Sequence, residues 1–208
     1  FTKRFGIKEN LSVKYNPVDR EDILSQAEIP LNNINDENAV MQLVTLGRLE
    51  PQKGYDRLLE VVNKLKNENF KFNLWIVGEG SKRPELESYI KKHNLEDTVT
   101  LQGFQTNPYK YIKNADAFIC SSRSEGFSTV VTEALILGKP VVATDCSGMT
   151  ELLGASEYGL ITQNNTEDLY LAMKRFLSDI DLQNHYKKKS EERSKDFDIK
   201  STIKQIEN

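Results

Sequence analysis

The sequence has few of the residues that bind metals or form disulfide bonds, with two cysteines and two histidines among 208 residues. None of them lies at the spacing of a zinc-binding motif, which argues against a zinc site. Cys120 and Cys146 each fall near the end of an apolar segment, a placement typical of buried, reduced thiols in a cytosolic protein. From these scarcities we expect a cytoplasmic protein without a bound metal.

Long apolar runs are also missing, because no stretch approaches the ~18 residues needed to cross a bilayer. Residues 1–10 lack the apolar centre of a signal peptide. The formal net charge of −3 argues against nucleic acid as the main partner, since binding it depends on neutralising phosphates. The lysines at 187–189 could contact acidic lipids at the inner face of a membrane. Glu191 and Glu192 follow them, so a solvated helix face is the favoured interpretation of this segment.

Short apolar segments alternate with amphipathic ones along most of the chain. Strands are predicted at 41–46, 72–77, 99–102, 117–120, 141–144 and 159–162. Helices are predicted at 55–67, 82–93, 109–113, 129–137, 150–153 and 166–177, followed by polar helical segments from 181 to 206. This alternation indicates an α/β fold, a Rossmann-like parallel sheet with helices on both faces.

A polar stretch without a strand at 32–38 separates the first residues from the alternating region. We therefore divide the chain into three parts. Residues 1–38 are an N-terminal strip and linker, residues 39–178 are the Rossmann-like domain, and residues 179–208 are a helical tail.

The most informative segment runs from Glu125 to Glu133 and joins a predicted strand to a predicted helix. Ser128 is a candidate N-cap, so the free N–H groups at the helix start would lie beside two carboxylates. Helix side chains lean toward the N-terminus, and Glu133 can therefore reach back to a ligand there. A helix N-terminus holds an anion, and a carboxylate accepts hydrogen bonds from hydroxyls such as a ribose diol. Together these features suit a sugar nucleotide, although each glutamate alone could be a solvated surface acid.

A second segment, residues 47–54, follows the first predicted strand and contains two cations, Arg48 and Lys53. A strand-to-helix loop of this kind lies at the carboxyl edge of a parallel sheet, where open α/β sheets bind ligands. Arginine as a planar fork and lysine as a point charge both suit a diphosphate. Gly78 and Gly80 are interpreted as turn residues beside the same cleft. They do not form a dinucleotide fingerprint, because its third glycine is absent.

Taken in order, these segments resemble the donor-binding half of the family 4 retaining glycosyltransferases. The matching motifs are Gly47-Arg48-Leu49 with Lys53-Gly54, 77–80, 99–104, 115–117, Ser121-Ser122, 125–127 through Glu133-Ala134, and 138–142. The resemblance covers residues 16 to 177, and the order and number of its motifs make it specific. It implies a GT-B enzyme, in which two Rossmann-like domains face each other across a cleft and the C-terminal one binds the nucleotide sugar.

The resemblance also implies roles for individual residues. Arg48, Lys53 and Glu125 would be catalytic, with the two cations neutralising the diphosphate and Glu125 contacting the donor sugar. Glu133 would bind the ribose. Further donor contacts would come from Gly47, Gln102, Gly103, Phe104, Gly126, Phe127, Ser128, Thr129 and Val130. The family works without a bound metal, so no cofactor is expected beside the nucleotide sugar itself.

The leading hypothesis is the donor-binding domain of a retaining glycosyltransferase that uses a nucleoside diphosphate sugar, with a UDP-sugar expected. Its acceptor would be a glycan, a polysaccharide or a lipid-linked glycan, held by an N-terminal domain that precedes these residues. The domain alone is expected to be inactive. Two alternatives stay open. One is a GT-B-like sugar-nucleotide epimerase, which should carry acids and histidines in the cleft, and the other is a domain that binds a nucleotide sugar or a partner without transfer.

Overall fold

The computed structural model describes residues 18–31 and 40–197. The expectations for the first 17 residues, for the linker at 32–38 and for the tail beyond 197 lie outside the described residues. One six-stranded sheet forms within them, from strands β1 (Met41–Leu46), β2 (Phe72–Val77), β3 (Val99–Gly103), β4 (Ala117–Cys120), β5 (Val141–Thr144) and β6 (Leu160–Thr162). All neighbouring strands pair in parallel, so the predicted fold class is confirmed.

Eight α-helices lie before, between and after these strands in the described residues. They are α1 (Arg20–Ala27), α2 (Tyr55–Asn67), α3 (Arg83–Lys92), α4 (Tyr109–Lys113), α5 (Thr129–Ile136), α6 (Met149–Leu153), α7 (Thr166–Ser178) and α8 (Ile180–Arg193). Helix α1 was not predicted. Asp19 caps it by accepting a hydrogen bond from the backbone N–H of Asp22 at 3.0 Å, and α1 packs on α4 and α5.

The strand order β3-β2-β1-β4-β5-β6 places β1 and β4 side by side at the centre of the sheet. From β1 the chain proceeds outward through β2 to β3. It then returns to the other side of β1 and proceeds through β4 to β6. The reversal between β1 and β4 opens a crevice at the carboxyl ends of these strands, where doubly wound sheets bind their ligands. The loops that follow β1 and β4 are the two that contain Arg48 and Glu125.

Two apolar clusters hold helices against the two faces of the sheet. On one face, Leu58 and Leu59 of α2 are fully buried beside β1 and β2. On the other, Val131 and Leu135 of α5 are fully buried beside β4 and β5. Burying one such side chain contributes about 1.5–3 kcal/mol. The crevice therefore lies at the edge of a sheet that is well packed on both faces.

Backbone hydrogen bonds link the first residues after β1 and β2 to the ends of the neighbouring strands. The N–H of Gly47 donates to the carbonyl of Val77 at 3.0 Å, and the N–H of Gly78 donates to the carbonyl of Gly103 at 2.9 Å. Gly78 has φ +142°, and a Cβ there would lie 2.0 Å from the carbonyl oxygen of Gly47. The close approach of the two loops therefore requires glycine at position 78. Gly78 thus packs against the loop after β1, which contains Arg48. This agrees with its interpretation as a turn residue.

The lysine-rich segment belongs to α8, and several of its cations have partners within the protein. Lys189 Nζ lies 2.8 Å from Glu192 Oε2. The Arg193 guanidinium donates to the carbonyl of Leu152 at 3.0 Å and to that of Glu151 at 2.6 Å. The contacts of Arg193 fasten α8 to the end of α6. Among the helices that the structure describes, none combines the length and apolar character that a bilayer crossing requires.

Candidate functional site

The loops after β1 and β4 meet in an ion pair between Lys53 and Glu125. Lys53 Nζ lies 2.7 Å from Glu125 Oε1, and both side chains are largely buried, with 14% and 9% of their surface exposed. The hydroxyl of Ser122 donates to the same carboxylate oxygen at 2.5 Å. Both contacts use Oε1, so within the described contacts Oε2 is available to a ligand. The structure therefore brings two of the predicted catalytic residues into direct contact across 72 positions of sequence.

Arg48 lies in the same loop as Lys53 but is exposed. Lys53 ends a short 3₁₀ helix, Pro51–Lys53, and Gly54 follows in the left-handed region with φ +66°. The neighbouring Glu50 accepts hydrogen bonds from the backbone N–H and hydroxyl of Ser81, at 3.1 and 3.0 Å. These bonds lower the pKa of Glu50. Glu50 is thereby engaged with the loop after β2, whereas Arg48 is exposed to solvent.

Residues 126–130 form the turn into α5 and contain five of the predicted donor contacts. Ser128 occupies the N-cap position with an extended backbone, as predicted. Its hydroxyl makes no capping hydrogen bond, and it is buried without a partner among the described residues. Gly126 is exposed with open space beside it, Phe127 packs on the apolar cluster of α5, and Thr129 and Val130 are half-buried. The first N–H groups of an α-helix have no acceptor within it, so this turn offers donors to an anion.

Glu133 sits one turn into α5 and is half-buried. Burial raises the pKa of its carboxyl to about 7, and interaction with the hydroxyl of Tyr109 partly offsets the rise. Burial and the nearby Glu133 likewise raise the pKa of Tyr109. Tyr109 was not predicted as a site residue, because its contact with Glu133 joins α4 to α5 and leaves no local signal in the sequence.

The remaining predicted contacts lie at the end of β3. Gln102 and Gly103 are half-buried residues of that strand. Phe104 follows them with 72% of its surface exposed, which is unusual for a large apolar side chain. The predicted residues thus lie along one edge of the sheet, at the end of β3, in the loops after β1, β3 and β4, and on α5.

Other chemistry-bearing residues stand away from this edge. His93 follows the last turn of α3 and stacks on Tyr89 with ring centroids 4.2 Å apart, and His185 lies on α8. In the part of the chain that the structure describes, no group of three or more His, Cys, Asp and Glu side chains could hold a metal ion. Burial raises the pKa of both cysteine thiols, to about 11 for Cys120.

The fold and this edge define a Rossmann-like α/β domain in which cations, carboxylates and a helix N-terminus meet at the switch point of the sheet. The particular family follows from comparison with known proteins. The chain belongs to the glycosyl transferases group 1 family, whose model matches residues 30–193.

Curated relatives carry the same kind of name. The chain is 37% identical over 188 residues to N-acetylgalactosamine-N,N'-diacetylbacillosaminyl-diphospho-undecaprenol 4-alpha-N-acetylgalactosaminyltransferase of Campylobacter jejuni, covering 89% of this chain and 49% of that protein. It is 32% identical to an uncharacterized glycosyltransferase of Methanocaldococcus jannaschii, covering 78% of this chain and 47% of that protein. The chain thus spans about half the length of the curated relatives it matches.

Solved structures show the same architecture. A mutant of S. aureus TarM, in complex with fondaparinux, alpha-GlcNAc-glycerol and UDP, is similar with a TM-score of 0.72 and 26% identity, over 90% of this chain and 41% of that one. Anabaena HepE, in complex with UDP and glucose, is similar with a TM-score of 0.78 over 94% of this chain and 55% of that one. At 22% identity, the second likeness concerns the fold alone.

Proposed function

We propose that this chain is the donor-binding part of a retaining glycosyltransferase, and that it binds a nucleoside diphosphate sugar in the crevice between β1 and β4. The observation that carries the proposal is the ion pair of Lys53 and Glu125, which lines one small cavity together with Val130 in the first turn of α5. A cation and helix N–H groups suit a diphosphate. A carboxylate with an available oxygen suits the hydroxyls of a sugar. The diphosphate and the sugar of the donor would thus both have binding partners within one crevice.

The two cations of the β1 loop would act on the diphosphate. When the bond between sugar and phosphate breaks, negative charge grows on the leaving nucleoside diphosphate. Arg48 and Lys53 would stabilise this charge more strongly in the transition state than in the bound donor, which is the condition for catalysis. Because they supply the positive charge, the proposed reaction needs no bound metal.

The carboxylates and the exposed aromatic would bind the other parts of the donor. Glu125 is assigned to the sugar hydroxyls and Glu133 to the ribose diol. Phe104 offers an exposed ring on which a nucleobase can stack, with Gln102 and Gly103 beside it. We expect a UDP-sugar, and the presence of UDP in the TarM structure supports this choice.

The acceptor would be bound by the rest of the protein, on the opposite side of the cleft. We propose a glycan, a polysaccharide or a lipid-linked glycan. The name of the Campylobacter jejuni relative, with its diphospho-undecaprenol-linked sugar, supports the last of these. We propose that the reaction takes place in the cytoplasm, at the inner face of a membrane. Neither histidine lies at the crevice, which weighs against the epimerase hypothesis.

The test is a calorimetric titration of the chain with UDP, GDP and ADP and with the corresponding glucose or N-acetylglucosamine derivatives. Saturable binding of at least one pair is expected, and Glu125→Gln should weaken only the sugar-bearing ligand. Loss of one charge-assisted hydrogen bond costs about 1.5–3 kcal/mol, or roughly ten-fold or more in affinity. Glu167→Gln, at an exposed residue of α7, is the matched control and should bind like the unmodified protein. Absence of binding at millimolar concentration, or equal losses for UDP and UDP-sugar in Glu125→Gln, would contradict the assignment.

A further inference from the structure

A buried guanidinium lies directly behind the two loops of the crevice. Arg57 of α2 is 4% exposed, and its hydrogen bonds go to neutral oxygens. Nε donates to the carbonyl of Ser121 at 2.8 Å, and Nη2 donates to the carbonyl of Ser122 at 2.6 Å and to Thr144 Oγ1 at 3.3 Å. Burial lowers the pKa of Arg57, yet an arginine stays charged in a protein. The charge is therefore held against two adjacent peptide carbonyls at the end of β4.

The two serines whose carbonyls Arg57 binds also hold the ion pair of the crevice. The hydroxyl of Ser121 donates to the carbonyl of Lys53 at 2.9 Å. The hydroxyl of Ser122 donates to Glu125 Oε1 at 2.5 Å, the oxygen that also contacts Lys53 Nζ. One dipeptide thus fixes the β1 loop through one hydroxyl and the Glu125 carboxylate through the other.

Other contacts make the position of this dipeptide strict. The carbonyl of Ser122 also accepts a hydrogen bond from Thr144 Oγ1 at 2.6 Å and one from Cys146 Sγ at 2.8 Å. On the other side, a Cβ at Gly54 would lie 2.2 Å from the carbonyl oxygen of Ser121. The start of α2 is therefore pressed against the dipeptide, and Arg57 reaches both carbonyls from one turn further along that helix.

We propose that Arg57 is a positioning residue for the donor sugar. Through the carbonyls of Ser121 and Ser122 it sets where Glu125 stands and how the carboxylate is shared between Lys53 and the ligand. A planar fork with fixed donor directions suits this task, and a lysine at the same position would supply charge without the fork. The inference rests on the proposed function, because it takes Glu125 as the contact with the sugar.

The test compares how strongly each variant prefers a nucleoside diphosphate sugar to the corresponding nucleoside diphosphate, measured by calorimetry at one pH. Arg57→Lys should lower this preference about ten-fold or more, of the order of one charge-assisted hydrogen bond. Ser122→Ala, which removes the hydroxyl but keeps the carbonyl, should lower it in the same direction. In the Glu125→Gln background, Arg57→Lys should have no further effect on the preference, because the group through which it acts is gone.

The control separates positioning from stability. Val61→Ala removes buried methyl groups one turn along α2 from Arg57 and destabilises the fold without touching the carbonyls. Unfolding free energies of both variants are measured by urea titration. If Val61→Ala lowers the sugar preference as much as Arg57→Lys, or if the effect of Arg57→Lys persists in the Glu125→Gln background, the positioning role is refuted. Failure of the unmodified chain to bind any nucleotide sugar would instead refute the proposed function, and the inference with it.

Discussion

Ionisation of Glu133 should make donor binding depend on pH close to neutrality. The pKa of its carboxyl is about 7, and a ribose diol, which donates its hydrogen bonds, needs the carboxylate as acceptor. If the ionised form alone binds, the competent fraction is about 0.1 at pH 6 and about 0.9 at pH 8. Affinity should therefore rise roughly ten-fold over this interval. At pH 6, binding should release nearly one proton, which calorimetry in two buffers of different ionisation enthalpy measures directly.

The choice of ligand and variants isolates this group. A nucleoside diphosphate sugar is used because the terminal phosphate of a free nucleoside diphosphate itself titrates near pH 6. Glu133→Gln should bind more weakly at pH 8 and show a nearly flat profile. Tyr109→Phe removes the hydroxyl that lowers the pKa of Glu133, so its midpoint should move upward. A flat profile in the unmodified protein, or the same slope in Glu133→Gln, would refute the reasoning.

The same ionisation acts on stability. The pKa of Glu133 is higher in the folded protein than the ordinary value of 4.5, so the folded state keeps a proton that the unfolded chain releases between these values. The contribution of this proton to stability is fully present below about pH 4.5 and is lost as the pH rises through about 7. The advantage of Glu133→Gln over the unmodified protein in unfolding free energy should therefore grow from pH 5 to pH 8.

The remaining predictions concern the cations of the crevice and the glycines behind them. In the full-length enzyme, Arg48→Ala or Lys53→Ala should each lower kcat/KM by about 10²-fold, with a loss in kcat as well as in donor affinity. Arg48→Lys should recover only part of the rate, and full activity in the double alanine variant would contradict the mechanism. EDTA should leave the steady-state rate of the unmodified enzyme nearly unchanged, whereas a strict metal requirement would show that these cations are not sufficient. Gly78→Ala should cost about 3–5 kcal/mol of unfolding free energy through strain and overlap with the neighbouring backbone, while Gly126→Ala, which meets open space, should cost almost nothing. Equal stabilities of these two variants would show that the loops are not locked together.

The sheet could be predicted because its strands are short apolar runs bounded by glycines, prolines and polar residues. Helix α1 could not, since Ile23 and Ala27 are the buried residues of its eight and two such positions do not make a visible periodicity. The sequence could place Arg48, Lys53 and Glu125 at one edge. The direct contact of Lys53 with Glu125 depends on side-chain geometry across the crevice, which no local pattern records.

The sequence equally could not predict that the hydroxyl of Ser128 has no partner among the described residues or that the pKa of Glu133 is raised. The N-cap position of Ser128 follows from the start of the helix, but whether its hydroxyl caps depends on the surrounding packing. The ionisation of Glu133 depends on burial beside Tyr109, which comes from another helix. At this site the sequence therefore predicts the location of the side chains much better than their hydrogen bonding and ionisation.

The glycine contact between Gly47 and Gly78 has a consequence for engineering the specificity of this protein. Because the two loops are joined by backbone hydrogen bonds and touch where a side chain has no room, they can be exchanged with those of a relative only as one transplanted unit. A chimera that takes residues 47–54 alone from a relative places that loop against a neighbouring loop that it does not fit. A chimera that takes 47–54 together with 77–82 keeps the two loops that pack against each other. Donor preference is then best altered by substituting the outward-facing side chains of the two loops. Their hydrogen-bonded backbone should be left unchanged.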